Sequence, residues 1–233
     1  GLYSRDNSGY SVKFSDLNST REVITSKEKI NAIATSADGK WLAGAGNDGK
    51  LYLWDIQNNY APRVLFENTI ALSSVGFRKD DQSVVIGDIN GIVKIVPTDK
   101  PLNALILSGH TSSIEQIVFN HAGSFMATAS KDKTVRLWNL DKLGETPIVL
   151  GLEVHTDWVR TAVFSADDEQ LLAAINSNAA NAAETIHAWP TRIETMSGLL
   201  CKYLTRGRLT DEEWDMHVDE GLAKEVTCPE AEK

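Results

Sequence analysis

Residues 109–139 read Gly109-His110-Thr111-Ser112-Ser113-Ile114-Glu115-Gln116-Ile117-Val118-Phe119-Asn120-His121-Ala122-Gly123-Ser124-Phe125-Met126-Ala127-Thr128-Ala129-Ser130-Lys131-Asp132-Lys133-Thr134-Val135-Arg136-Leu137-Trp138-Asn139. The segment reads as strand, turn, strand, turn, strand. Val135-Arg136-Leu137-Trp138 alternates apolar with polar or mixed residues, the pattern of a half-buried strand. Phe125-Met126-Ala127-Thr128-Ala129 is mostly apolar, as expected of a strand covered on both faces.

Working outward, the pattern repeats. Ile30 to Asp55, Leu72 to Pro97 and Val159 to Pro190 carry the same order of runs and turns. Trp54, Val96 and Trp138 occupy matching positions at a constant spacing of 42 residues, and Phe14 lies 40 residues before Trp54. Asp38-Gly39, Asp48-Gly49 and Asn90-Gly91 are tight-turn signals, with glycine supplying positive φ. Trp189 follows Trp138 after 51 residues, the excess lying in the polar insertion Asn176 to Ala183. A period of about 40–45 with four strands per unit is that of a β-propeller blade. The expected fold class is therefore all-β: a propeller over residues 1–190, with a partial blade at 1–26 and repeats at about 27–67, 68–108, 109–151 and 152–190. A short α-helical extension is expected at 191–233.

The segment 109–139 resembles a near-consensus unit of the WD-repeat family, and the resemblance covers roughly residues 1–190. It implies a buried hydrogen-bond network inside each blade, formed here by His110, Thr128 or Ser130, Asp132 and Trp138. A buried imidazole, indole and carboxylate must satisfy one another, so their expected role is structural. The other units depart from this set. One keeps Asp48 and Trp54 but has Lys27-Glu28 in place of Gly-His. The next has Asn68, Asn90 and Val96 at the His, Asp and Trp positions. The last keeps His155 and Trp189. The resemblance also implies a closed ring, most often of seven blades. The four to five blades here are then expected to be its C-terminal part, the rest lying upstream or on a separate chain. The alternative is a ring of about five blades closed by the N-terminal segment.

The tail changes period. Thr191-Arg192-Ile193-Glu194 and Thr210-Asp211-Glu212-Glu213 are capping boxes. Ile193, Met196, Leu200 and Tyr203 fall at helical spacing, so an amphipathic helix of about 13 residues should lie on the propeller. Leu200-Cys201, Leu209-Thr210, Glu213-Trp214 and Thr227-Cys228-Pro229 resemble the ending of bacterial WD-repeat proteins fused to STAND-type NTPase or caspase-like effector domains. That resemblance implies a sensor or recognition module attached to an effector. Cys201 and Cys228 read as two buried thiols or as a close pair; two thiols are too few for a structural metal site or a secreted disulfide framework.

Composition excludes several classes. Of 233 residues, 42% are hydrophobic, and the net charge is −9. An acidic chain without clustered Lys and Arg is a poor general binder of nucleic acid. No apolar run approaches the roughly 20 residues of a bilayer span, and Gly1 to Asp6 carry no signal-peptide core; the expected compartment is the cytoplasm. No nucleophile elbow, phosphate loop or metal motif occurs. The expectation is no catalytic residue, no metal and no cofactor. The partner is expected to be a protein or peptide. The family's usual contact positions flank the start of each innermost strand and precede the turn Asp. Here they fall on Lys29, Asn31, Asn47, Ser73, Ile89, Ser113, Glu115, Lys131, Trp158 and Arg160. Trp158 and Arg160 are of the types most enriched in binding hot spots, although Trp158 can equally pack against the neighbouring blade. Three functions follow: a bacterial sensor propeller, a generic WD-repeat scaffold, or, remotely, a propeller enzyme.

Overall fold

The computed structural model describes residues 2–6, 9–15, 20–26, 28–58, 61–151, 158–175, 186–192 and 195–196. Their strands form five antiparallel sheets. The first is β1 (Leu2–Asp6), β2 (Gly9–Ser15) and β3 (Thr20–Ser26). The second is β4 (Ile30–Thr35), β5 (Trp41–Gly46), β6 (Lys50–Asp55) and β7 (Ala61–Glu67). The third is β8 (Leu72–Phe77), β9 (Ser83–Asp88), β10 (Val93–Pro97) and β11 (Leu105–Leu107), with a 3₁₀ turn at Pro101–Asn103. The fourth is β12 (Ile114–Phe119), β13 (Phe125–Ser130), β14 (Thr134–Asn139) and β15 (Ile148–Gly151). The last is β16 (Val159–Phe164), β17 (Gln170–Ile175) and β18 (Ile186–Pro190).

Within each sheet the strands pair in chain order. Across sheets, β4 lies beside β8, β8 beside β12, and β12 beside β16. The last four sheets are thus successive propeller blades, packed side by side with their first strands innermost. The all-β propeller architecture expected from the period is the architecture observed.

Packing explains why second strands are so apolar. In β5, β9 and β13 every residue after the first is buried; both faces of β9 and β13, and one face of β5, meet a neighbouring blade. Ala43, Ala45, Leu51 and Leu53 pack on Leu72, Val84 and Ile86. Val85, Val93 and Ile95 pack on Ile117, Met126 and Trp138. Ala127, Ala129, Val135 and Leu137 pack on Phe164, Leu171 and Ala173. Complete burial of a Val, Leu or Ile side chain contributes roughly 1.5–3 kcal/mol, so these interfaces dominate the stability of the assembly. In β17 the pattern alternates: Leu171, Ala173 and Ile175 are buried while Leu172 and Ala174 are half-buried. On the last sheet Val163 is 57% and Ile186 63% exposed.

The turns between first and second strands add polar clips. Gly39 and Gly123 adopt φ of +70° and +80°, and at the matching positions Asp81 and Asp168 adopt +55° and +58°. The two aspartates use this geometry to reach back one blade. Asp81 accepts from the backbone N–H of Ala37 at 2.8 Å and of Asp38 at 2.9 Å. Asp168 accepts from the N–H groups of His121 and Ala122, each at 2.8 Å. Burial alone would raise the Asp168 carboxyl, but these donors hold it below the ordinary carboxylate value.

Past the last blade, the Thr191 hydroxyl donates to the Asp168 carbonyl. A helical turn closes from Met196 N–H to Arg192 O at 3.0 Å, and Met196 packs on the core between the last two blades. The remainder of the expected helical extension, with Cys201 and Cys228, lies outside the described residues, as do the polar insertion Asn176 to Ala183 and His155.

Candidate partner-binding face

The innermost strands share one irregularity. The register of β4 on β5 shifts between Ile30 and Ala32, that of β8 on β9 between Leu72 and Ser74, that of β12 on β13 between Ile114 and Gln116, and that of β16 on β17 between Val159 and Thr161. The extra residue in each bulge is Asn31, Ser73, Glu115 or Arg160. A bulge places one unpaired residue and re-aims its side chain. Four of the ten expected contact positions are therefore equivalent, one per blade, at the same end of the innermost strand.

The remaining positions gather around these bulges. Asn47 N–H bonds to Lys29 O at 2.8 Å, Ile89 N–H to Ala71 O at 3.2 Å, and Lys131 N–H to Ser113 O at 3.0 Å. In these three blades the bonds tie the entry of the first strand to the turn after the second. Asn31 donates from Nδ2 to Leu72 O on the next blade at 2.7 Å. Ser73 donates to Gly87 O within its own sheet. Lys29, Asn47, Ile89 and Arg160 are exposed. Ser113 is buried, and its hydroxyl donates to Glu115 Oε1 at 3.2 Å; it orients the glutamate from beneath.

Lys131 and Trp158 join two blades. The Lys131 ammonium stands 4.2 Å from the centre of the Trp158 ring and 3.4 Å from Glu115 Oε1. A cation over an indole face contributes about 0.5–1 kcal/mol where solvent reaches it. Trp158 is half-buried and meets the preceding blade through Lys131. Below this rim, Gln116 Oε1 accepts from Thr161 Oγ1 at 2.6 Å and from Ala162 N–H at 2.8 Å, fixing the two blades against each other.

The residues suggested as a blade network fall into different environments. In the blade from β12 to β15, Trp138 Nε1–H donates to Thr128 Oγ1 at 2.9 Å. Thr128 Oγ1 is 2.8 Å from His110 Nε2, and His110 Nδ1 is 2.7 Å from Asp132 Oδ2. Every proton then runs one way: indole to hydroxyl, hydroxyl to Nε2, Nδ1–H to carboxylate. This assignment gives His110 the Nδ1–H tautomer. Burial works against the charge on Asp132, but bonds from His110, Thr134 and Thr111 hold its carboxyl well below the ordinary 3.8. Ser130 is not in this chain of bonds; its hydroxyl donates to Ser112 O.

The neighbouring blades differ. Between β8 and β11 the carboxylate sits two residues early: Asp88, not Asn90, receives Asn68 Nδ2 at 3.3 Å and the N–H groups of Asn90 and Ile92 at 3.0 Å each. Lys94 Nζ completes it on Asn68 Oδ1 at 2.8 Å. Between β4 and β7, Asp48 accepts from the Tyr52 hydroxyl at 2.7 Å, and Tyr52 stacks on Trp54. In the last blade Trp189 stacks on His187. Sequence reading missed Asp88, Tyr52 and Lys94. A signal existed, since Tyr52, Lys94 and Arg136 share one repeat position.

Among the described residues, no group of three or more His, Cys, Asp or Glu is placed to hold a metal, and no helix is long and apolar enough to cross a membrane.

Comparison with known proteins agrees with this architecture. Residues 18–55 and 101–139 match the family described as WD domain, G-beta repeat. Over 184 residues the chain is 24% identical to nuclear distribution protein PAC1 of Arthroderma benhamiae and to that of Trichophyton verrucosum, covering 74% of this chain and 39% of each relative. The chain thus spans about two fifths of the curated relatives it matches. The WD40 β-propeller domain of Doa1 superposes with a TM-score of 0.59 at 19% identity, covering 72% of this chain and 53% of that one. The repeat matches and the shared fold support a WD-repeat propeller.

Proposed function

We propose that this chain is a recognition module that binds a protein or peptide across the end of its innermost strands, and that it is not itself an enzyme. The observation that carries this reading is the rim itself. Bulges present Asn31, Ser73, Glu115 and Arg160 in register, and Lys131 holds Trp158 at their edge. A rigid backbone with a pre-oriented Trp lowers the entropy lost on binding.

On the resemblance of its tail, we read the chain as the C-terminal sensor of a bacterial multidomain signalling or defence protein, working in the cytoplasm. The half-covered apolar face of the last sheet is what a further blade would cover. That supports a ring completed by blades elsewhere in the polypeptide or on a separate chain. A second reading, a scaffold subunit of a multiprotein complex without an effector, is favoured by the similarity to the two fungal nuclear distribution proteins.

The test is capture of partners by the intact protein and by a Trp158→Ala, Arg160→Ala double variant. Loss of capture with an unchanged melting temperature is expected. Capture of the same proteins by the double variant overturns the assignment of this face. An effector domain encoded upstream in the same reading frame separates the first reading from the second.

A further inference from the structure

A cleft of about 640 Å³ opens between the last two blades, at the end that bears the turns between first and second strands. Phe125, Leu137 and Ile148 form its apolar part; Leu137 is buried and the other two are half-buried. Exposed Thr146, in the loop before β15, lines one side, and Asp167 and Asp168 of the last blade line the other. Thr191 and Arg192 stand at its mouth, where the chain leaves β18. The volume lies within the roughly 300–1,000 Å³ of a ligand cleft. Covering such apolar surface removes it from water and is favourable.

The chain itself leads into this cleft. The three preceding blades add an outermost strand after the third: β7, β11 or β15. After β18 the chain turns back instead. Thr191 N–H bonds to Glu169 O at 3.0 Å, the Arg192 guanidinium pairs with Glu169 at 2.5 Å, and a helical turn from Arg192 closes at Met196. Met196, the last described residue, is half-buried on the apolar cluster that contains Leu137 and against which Phe125 and Ile148 also pack. Residues three and four apart share a helix face. Leu199 and Leu200 follow Met196 at those spacings, and Tyr203 follows at seven. The apolar pattern that seats Met196 therefore continues in the sequence beyond the described residues.

We infer that this cleft is the seat of the chain's own C-terminal segment, with Leu199, Leu200 and Tyr203 covering Phe125, Leu137 and Ile148. Tethered at the mouth by Thr191 and Arg192, the segment is present at an effective concentration of about millimolar. A separate peptide or small molecule therefore competes poorly for the same surface. Seated there, the segment straps the last blade to its neighbour. The same two blades carry Trp158 and Lys131 at their opposite end, so the strap holds the two sides of that contact together. The inference uses no property of the rim, and its failure leaves the partner-binding reading untouched.

The experiment reads thiol reactivity with an aromatic disulfide reagent on the full chain, after Cys201→Ser and Cys228→Ser remove the native thiols. Leu200→Cys and Lys202→Cys are added singly, and each rate is divided by its own rate in denaturant. Lys202 falls off the face shared by Met196 and Leu200 at helical spacing. Leu200→Cys is expected to react roughly tenfold or more slowly than Lys202→Cys, because it reacts only when the segment lifts off. Ile148→Asn places an amide on the apolar part of the cleft and should restore fast reaction. Val149→Asn, exposed on the other face of the same strand, should not. Thr146→Trp obstructs the cleft from its exposed side and gives the same reading where thermal melts show that Ile148→Asn does not fold. Equal rates for Leu200→Cys and Lys202→Cys overturn the inference. Protection that survives Thr146→Trp in the folded protein also overturns it, since the segment then sits elsewhere. So does protection that is lost on dilution, which assigns the cleft to the tail of a second copy.

Discussion

The blade from β12 to β15 and the blade from β8 to β11 solve the same packing problem with different chemistry. The first runs a single chain of hydrogen bonds from Trp138 through Thr128 and His110 to Asp132. The second has Val96, Ile86 and Asn68 at the first three of those positions, and its carboxylate is Asp88. Both sheets nonetheless bury their second strands completely beyond the first residue and share one apolar core between them. The polar network therefore fixes the interior of one blade, while side-chain packing between blades holds the array. A buried polar group left unpaired is costly, so a blade that loses part of this network re-satisfies what remains with other partners, as Asn68 and Lys94 do around Asp88 and Tyr52 does on Asp48.

The largest effect that separates the two is expected from removing the large residue of the third strand. Trp138→Ala deletes a nearly fully buried indole and leaves Thr128 Oγ1 without its donor. A loss of about 3–5 kcal/mol is expected for such a change. Val96→Ala removes only two methyl groups and strands no polar atom, so it should cost about half as much or less. Equal losses in denaturant titrations would show that the network adds nothing to the packing.

A smaller effect comes from charge. Asp132 is held below the ordinary carboxylate range, so its contribution is present above pH about 4 and is lost as pH falls further, when the folded form must take up a proton. Asp132→Asn should cost about 2 kcal/mol near neutral pH, the scale of hydrogen bonds to a charged group. The gap to the parent protein should close below pH about 4. A gap that stays constant down to acid unfolding would mean the carboxylate acts through shape alone.

These comparisons also show what the sequence could reveal. The period was legible because Trp54, Val96 and Trp138 keep their spacing, and the turns because Gly39, Gly49 and Gly91 need positive φ. The complete network was legible because His110, Thr128, Asp132 and Trp138 are all present together. Substitution by a different solution was not: Asn90 stands at the turn position, yet the carboxylate that matters is Asp88. The clips made by Asp81 and Asp168 were hidden for the same reason. Read along the chain, they are residues where the repeat has glycine; only the neighbouring blade shows what they hold. The rim positions were named one by one, but the bulge that makes Asn31, Ser73, Glu115 and Arg160 equivalent is a property of strand pairing.

The smallest expected effect tests whether strand positions change as pairs. On the face shared by the second and third strands, Gly44 accompanies Trp54, Ile86 accompanies Val96, and Thr128 accompanies Trp138. Each pair fills the same space differently. A Cβ on Gly44 would lie 2.6 Å from Trp54 Cζ3 and 2.7 Å from Cη2, so the rigid indole already occupies the room that Ile86 takes beside the smaller Val96. Threonine fits beside Trp138 because it gives the indole N–H an acceptor, whereas the Trp54 ring lies against the bare strand. Gly44→Ala alone should therefore cost about 1–2 kcal/mol by overpacking. Combined with Trp54→Val, its added cost should fall to near zero, because the ring it strikes is gone. A double-mutant cycle measures that coupling directly. If the two losses simply add, the blades do not exchange volume between these strands, and the differences among them need another cause.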